Sequence, residues 1–130
     1  MNQLGKIGEG IALEYLKKKK YFVREINYRS FLGEIDLIGE RSGEIVFIEV
    51  KTRKSTQYGY PEETVNSNKQ KKIIKTASGY IAKKGLKEKN YRFDVILVIF
   101  SKTNCLEKIQ HIENAFYINE KNNPFNVQQI

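Results

Sequence analysis

The stretch that most constrains this chain is residues 93–100, FDVILVIF, where every residue but Asp94 is apolar. Rich in β-branched side chains and lacking alternation, it reads as a strand covered on both faces. Such a strand needs a sheet around it and a layer on each side. Two segments with helical periodicity can supply those layers. In residues 4 to about 20, Leu4, Ile7, Ile11 and Tyr15 recur at helical spacing, and Ala12, Leu13 and Leu16 widen the apolar stripe. The lysines at 17–20 then complement the negative end of the helix dipole. The second helix is expected from a cap at Asn66 or Ser67 to about Lys84, with Ile73, Ala77, Tyr80 and Ile81 inward and Gly85 ending it.

The remaining segments fill in a sheet. YFVREINYR, residues 21–29, suggests a short strand. GEIDLIGERSGEIVFIEVKTR, residues 33–53, reads as a β-hairpin about ERSG. Residues 53–65 form a polar loop, 105–113 a weaker edge strand, and the tail after Ala115 shows no element. The expected fold is one α/β domain spanning 1–130, a mixed central β-sheet flanked by helices, least defined over about 117–130. At 130 residues the chain is long enough to bury a core.

The hairpin carries an anomaly. Asp36, Glu49 and Lys51 stand among Ile35, Leu37, Ile38, Phe47, Ile48 and Val50. Glu49 and Lys51, two apart, share a strand face. Pairing about ERSG brings Asp36 beside Glu49, on a face with Glu34 and Ile38, whereas a one-residue slip separates them. Adjacent carboxylates repel and are costly to bury. A divalent cation relieves both problems, and Mg²⁺ favours carboxylate and water ligands with positions left for phosphate oxygen. That layout suits metal-assisted phosphodiester hydrolysis, with Lys51 holding water or charge. The alternative is an exposed strand face, where acid-x-Lys patterns are common. Glu9 lies beside the apolar stripe of the first helix. It either reaches the metal or simply answers the helix dipole. Helix stability explains neither of its flanking glycines, Gly8 and Gly10.

Composition narrows the chemistry. Cys105 and His111 are single, which excludes a disulfide framework and cysteine or histidine metal clusters, and leaves Mg²⁺ or Mn²⁺ on oxygen ligands. Both read as ordinary edge-strand residues, and Arg92 with Asp94 as an ion pair at a strand entrance. A net charge of +8 suggests a polyanion partner, or serves solubility alone. Tyr58 and Tyr60 could stack on bases. With no apolar leader or spanning run, a cytoplasmic location is expected. A non-catalytic nucleic-acid-binding module is the competing reading. A membrane-surface protein is weaker, for want of a basic amphipathic helix.

Glu9 in a helix, Asp36, and Glu49-Val50-Lys51 together resemble the PD-(D/E)xK nuclease superfamily. Within it the chain is similar to the YraN-type (UPF0102) proteins, themselves similar to archaeal Holliday-junction resolvases. The matching pieces are GEGIALEYL, INYR, GEIDLI, FIEVKTR, YGYPEETV, Lys69-Gln70 and YRFDVI, which cover nearly the whole chain in order. Ile35 stands where the superfamily name has proline. The resemblance implies a restriction-endonuclease-like core and a metal-dependent DNA endonuclease, in which Asp36, Glu49 and the Val50 carbonyl ligate metal. Lys51 would be catalytic and Glu9 the helical acid. Arg29, Arg53, Lys69 and Gln70 would contact nucleic acid, with Lys71, Lys72 and Lys75 as looser backbone contacts. Resolvases work as dimers, which raises a homodimer here.

Overall fold

The computed structural model describes residues 3–55 and 65–125. Tyr58 and Tyr60 fall outside them. The order is α1 (Gln3–Lys18), β1 (Phe22–Ser30), β2 (Gly33–Arg41), β3 (Glu44–Lys54), α2 (Ser67–Lys84), β4 (Asn90–Phe100) and β5 (Leu106–Phe116). The five strands form one sheet in sequence order, and only β3 and β4 run parallel. The fold is therefore α/β with a mixed sheet, α2 being the crossover between the parallel pair.

Local chemistry sets the element ends. The β2–β3 turn is two residues, Ser42 (φ 52°) and Gly43 (φ 77°), both left-handed as a twisted hairpin requires. Asn66 caps α2 by accepting the Lys69 N–H at 2.9 Å, and Gly85, at φ 66°, closes it. The α1 helix ends in the same way on a lysine. Lys20 takes φ 70°, its N–H bonds the Lys17 carbonyl, and Tyr21 N–H reaches back to the Leu16 carbonyl. Tyr21 and Leu16 then bury together, the apolar contact that accompanies such a cap.

Each face of the sheet has its own core. On one face Ile73, Ala77 and Tyr80 of α2 pack with Ile38, Phe47 and Ile99; on the other Ala12 and Leu16 of α1 pack with Leu37, Ile48, Ile96 and Val98. β4 is buried on both faces, as its sequence requires. Within α1 the buried line is Gly8, Ala12 and Leu16, while Ile7, expected inward, is 48% exposed. Gly8 explains the shift. A Cβ there would lie 2.1 Å from Thr52 Oγ1, so the missing side chain lets α1 lie directly on β3.

β5 and the tail exceed expectation. His111 is no ordinary edge residue: its side chain is 8% exposed, with Nε2 2.6 Å from Asp94 Oδ2 and Nδ1 2.9 Å from the Tyr15 hydroxyl. The Arg92–Asp94 pair forms at 3.0 Å and extends to Glu44, Glu113 and Tyr21. In the tail, Asn122 is fully buried and donates to Gln70 Oε1 at 2.7 Å.

Candidate metal centre

The β2–β3 ladder runs from Arg41↔Glu44 to Leu37↔Ile48 and stops. The next facing pair in that register is Asp36 and Glu49. Instead of a further ladder bond, Asp36 Oδ2 accepts the Val50 N–H at 2.7 Å. The expected register holds. The expected face of Asp36 does not, because alternation slips there. Ile38 and Ile35 both join the α2-side core while Leu37 joins the other, so Asp36 cannot simply share a face with Ile38. Opposite Asp36, β1 keeps its register but not its regular backbone. Asn27 sits at φ 50°, and the β1–β2 pairing passes from Ile26↔Leu37 to Tyr28↔Ile35 around it.

The slip opens a cavity of about 560 Å³ between the start of α1 and the diverging strands. Asp36, Glu49 and Glu9 line it together with Val50, Arg53 and Lys54. Burial pushes the Glu49 carboxyl up to about 7, the neighbouring Asp36 charge adds to the shift, and Lys69 and Lys51 oppose it. Asp36 is raised too, by burial first, against the Val50 N–H and Lys69. Each carboxyl acts on the proton affinity of the other. Glu9 is raised by burial, then by Asp36 and Glu34, with Arg29 pulling the other way.

Cations surround this acidic centre. Lys69, in the first turn of α2, holds Nζ 4.0 Å from Glu49 Oε1. Lys51 follows Glu49 on the same face of β3, and its charge acts on that carboxyl. Arg53 donates to the Thr52 carbonyl at 2.8 Å, and Arg29 pairs with Glu34 at 3.2 Å. Gln70 is engaged elsewhere: its amide donates to the Val65 carbonyl and accepts from Asn122, pinning the tail to α2. Among the described residues no three His, Cys, Asp or Glu side chains converge into a ready-made cluster. The donor set is therefore Asp36 and Glu49, with Glu9 across the cavity. Glu34 and Asn27 were missed from sequence. Glu34 is marked by its position two before Asp36, Asn27 only by asparagine's tolerance of left-handed backbone.

The model of the uncharacterised protein family UPF0102 matches residues 8–98, which takes in every residue of this centre. The chain belongs to the UPF0102 family. A UPF0102 protein of Alkaliphilus metalliredigens is 50% identical over 113 residues, 87% of this chain and 96% of that protein. Relatives in Persephonella marina and Caldanaerobacter subterraneus subsp. tengcongensis are each 47% identical, over 86% and 87% of this chain and 91% and 93% of their own lengths. These UPF0102 relatives span nearly the same domain. Among the described residues no helix is long and apolar enough to cross a membrane.

Proposed function

We propose that this chain is a metal-dependent endonuclease that hydrolyses DNA phosphodiester bonds, on branched or otherwise structured DNA. One observation carries the reading: two neighbouring carboxylates, Asp36 and Glu49, are desolvated at the end of a ladder and open onto a cavity. The fold bears the strain of that pair in a rigid strand setting, where a hard cation would relieve it.

The donor set suits Mg²⁺ or Mn²⁺. Asp36 and Glu49 would hold the ion with the Val50 carbonyl, since a residue's N–H and C=O leave a strand on the same side and the Val50 N–H already points to Asp36. When bound, such an ion activates water and shields phosphate charge. The protein's own groups do the rest. Lys51 and Lys69 bring positive charge to the carboxylates and to a phosphate seated there. Arg53 and Lys54, on the cavity wall, hold the strand's phosphates. Glu9, whose carboxyl is raised, can take up or return a proton at the leaving oxygen. The exposed Lys71, Lys75 and Arg29 extend the contact along the backbone, supported by the net charge of +8. This reading places the protein in the cytoplasm with DNA as its partner, and a homodimer would present two centres to a branched substrate.

Linear, nicked, flap and four-way DNA incubated with Mg²⁺ or Mn²⁺ provide the test. Cleavage should require the metal and vanish in Glu49→Gln. Cleavage that persists in that variant refutes the mechanism. Among the described residues no third carboxylate converges on Asp36 and Glu49, which favours one rival, a DNA-binding module that keeps the fold without cutting. It requires salt-dependent DNA binding that is indifferent to metal, and no cleavage on any substrate.

A further inference from the structure

Glu9 is a wall common to two cavities. Beyond it from the acidic centre lies a second, of about 330 Å³, between α1 and the β1–β2 pair. Leu13, Ile26 and Leu37 form its apolar side; Lys6, Asn27 and Arg29 supply its polar groups. Its volume is at the small end of ligand sites, the scale of a single nucleotide.

Three features separate this cavity from a chance furrow. Ile26 turns an apolar side chain to it and not to either core, remaining 54% exposed. Asn27 keeps a left-handed backbone inside a strand, directly opposite Asp36, and strain of that kind concentrates at functional positions. Gly10 borders the cavity from the middle of α1, where glycine is a poor helix former. Unlike Gly8 it touches nothing, since a Cβ there would find no atom within 4 Å. Neither packing nor backbone angle requires glycine at position 10. What the absent side chain does is leave open space beside the cavity.

We infer that this cavity is a subsite for one unpaired nucleotide of the strand being cut, beside the scissile phosphate. The inference rests on the nuclease reading and names its substrate class. An unstacked base needs an apolar surface, which Leu13 and Ile26 provide above the buried Leu37. The Asn27 amide offers a donor and an acceptor to a base edge. Lys6 and Arg29 offer positive charge to the phosphate, the exposed Arg29 guanidinium lying 3.2 Å from Glu34. A base held in a duplex stack cannot enter, so the subsite selects DNA with an unpaired nucleotide next to the cut.

The test reads binding by the full chain in EDTA, apart from cleavage. The probes are a 12-nucleotide single strand carrying 2-aminopurine and a blunt duplex of the same sequence. Gly10→Leu fills the space beside the cavity from a helix position that tolerates it, and Asn27→Gly removes the amide while relieving the backbone. Both should melt no lower than wild type. Each should bind the single strand about 5- to 100-fold more weakly, the range of one lost base contact, with duplex affinity within about two-fold. The 2-aminopurine signal that wild type produces should disappear in Gly10→Leu. Unchanged single-strand binding in Gly10→Leu overturns the subsite, as does a wild type that leaves 2-aminopurine fluorescence unaltered. Metal-dependent cleavage with unchanged Gly10→Leu binding overturns the subsite alone. Selective loss in Gly10→Leu by a chain that never cleaves supports the subsite and removes the nuclease.

Discussion

Asp36 and Val50 are joined across the end of a ladder, carboxylate to main-chain N–H, at 2.7 Å. The side chain thus stands in for the main chain of β2 where the strands part. Asp36 closes the sheet, and in the proposed function it has a second, separable duty, supplying an oxygen to the centre. Asp36→Ala removes both and strands the Val50 N–H, a loss of about 1–3 kcal/mol in urea unfolding. Asp36→Asn keeps a carbonyl acceptor and should cost less than about 1 kcal/mol. Both should lower cleavage at least about 100-fold, the scale of losing a key electrostatic group. Equal stability losses in the two variants would show that the bond to Val50 carries no weight.

Glu49 makes stability depend on pH in an unusual direction. Its carboxyl is raised from the ordinary 4.5 to about 7. Below about pH 4.5 both folded and unfolded chains hold the proton. Between there and 7 the unfolded chain has released it and the folded chain has not, so stability falls as pH rises. The metal-free protein should lose on the order of 1–3 kcal/mol between pH 5 and 7.5. Glu49→Gln should flatten that slope. Mn²⁺ at pH 7.5 should raise the melting temperature of wild type, release protons on binding, and leave Glu49→Gln unmoved. Calorimetry in two buffers of different ionisation enthalpy measures the protons directly.

Asp94 has the opposite sign. It is 1% exposed and accepts from Arg92 Nε, His111 Nε2 and the Asn114 N–H. Burial alone would raise its carboxyl, but these partners together hold it below its ordinary value. Its contribution is therefore present above the unfolded value and lost as pH falls through the folded one. Asp94→Ala leaves Arg92 and His111 without their shared acceptor and should cost about 3–5 kcal/mol. Hydrogen exchange should show β5, held at its centre by His111, opening first.

The sequence revealed most of this architecture because its periodicities were strong. The doubly buried β4, the hairpin about Ser42 and Gly43, and the Asn66 and Gly85 ends of α2 all follow from local chemistry. Asp36 and Glu49 could be set side by side because a hairpin about ERSG was legible. The structure tightens that tip to Ser42 and Gly43, and the two-residue turn determines the register behind it. What stayed hidden depended on contacts distant in the chain. His111 lies on a strand whose pattern is largely exposed, and only the fold brings it to Tyr15, 96 residues away. The slip at Asn27 and Asp36 has only one mark in the sequence, asparagine's tolerance of left-handed backbone, which every asparagine of the chain shares.

Gly8 and Gly10 form a matched pair for the last prediction. Replacing a mid-helix glycine by alanine normally stabilises a helix by about 1 kcal/mol. Gly10→Ala should show that gain, because its Cβ meets open space. Gly8→Ala should do the reverse. Its Cβ would stand 2.1 Å from Thr52 Oγ1, with Thr52 Cβ at 3.3 Å and Cγ2 at 3.4 Å, so rotating the threonine only substitutes one obstruction for another. Overpacking of this kind costs about 1–3 kcal/mol net and pushes α1 off β3. Because α1 carries Glu9 into the acidic centre, cleavage should fall with stability. Thr52→Ala in the Gly8→Ala background should recover much of both by vacating the space. Urea unfolding of wild type, Gly8→Ala, Thr52→Ala and the double variant closes the cycle. A Gly8→Ala protein as stable as Gly10→Ala would show that α1 does not rest on Thr52.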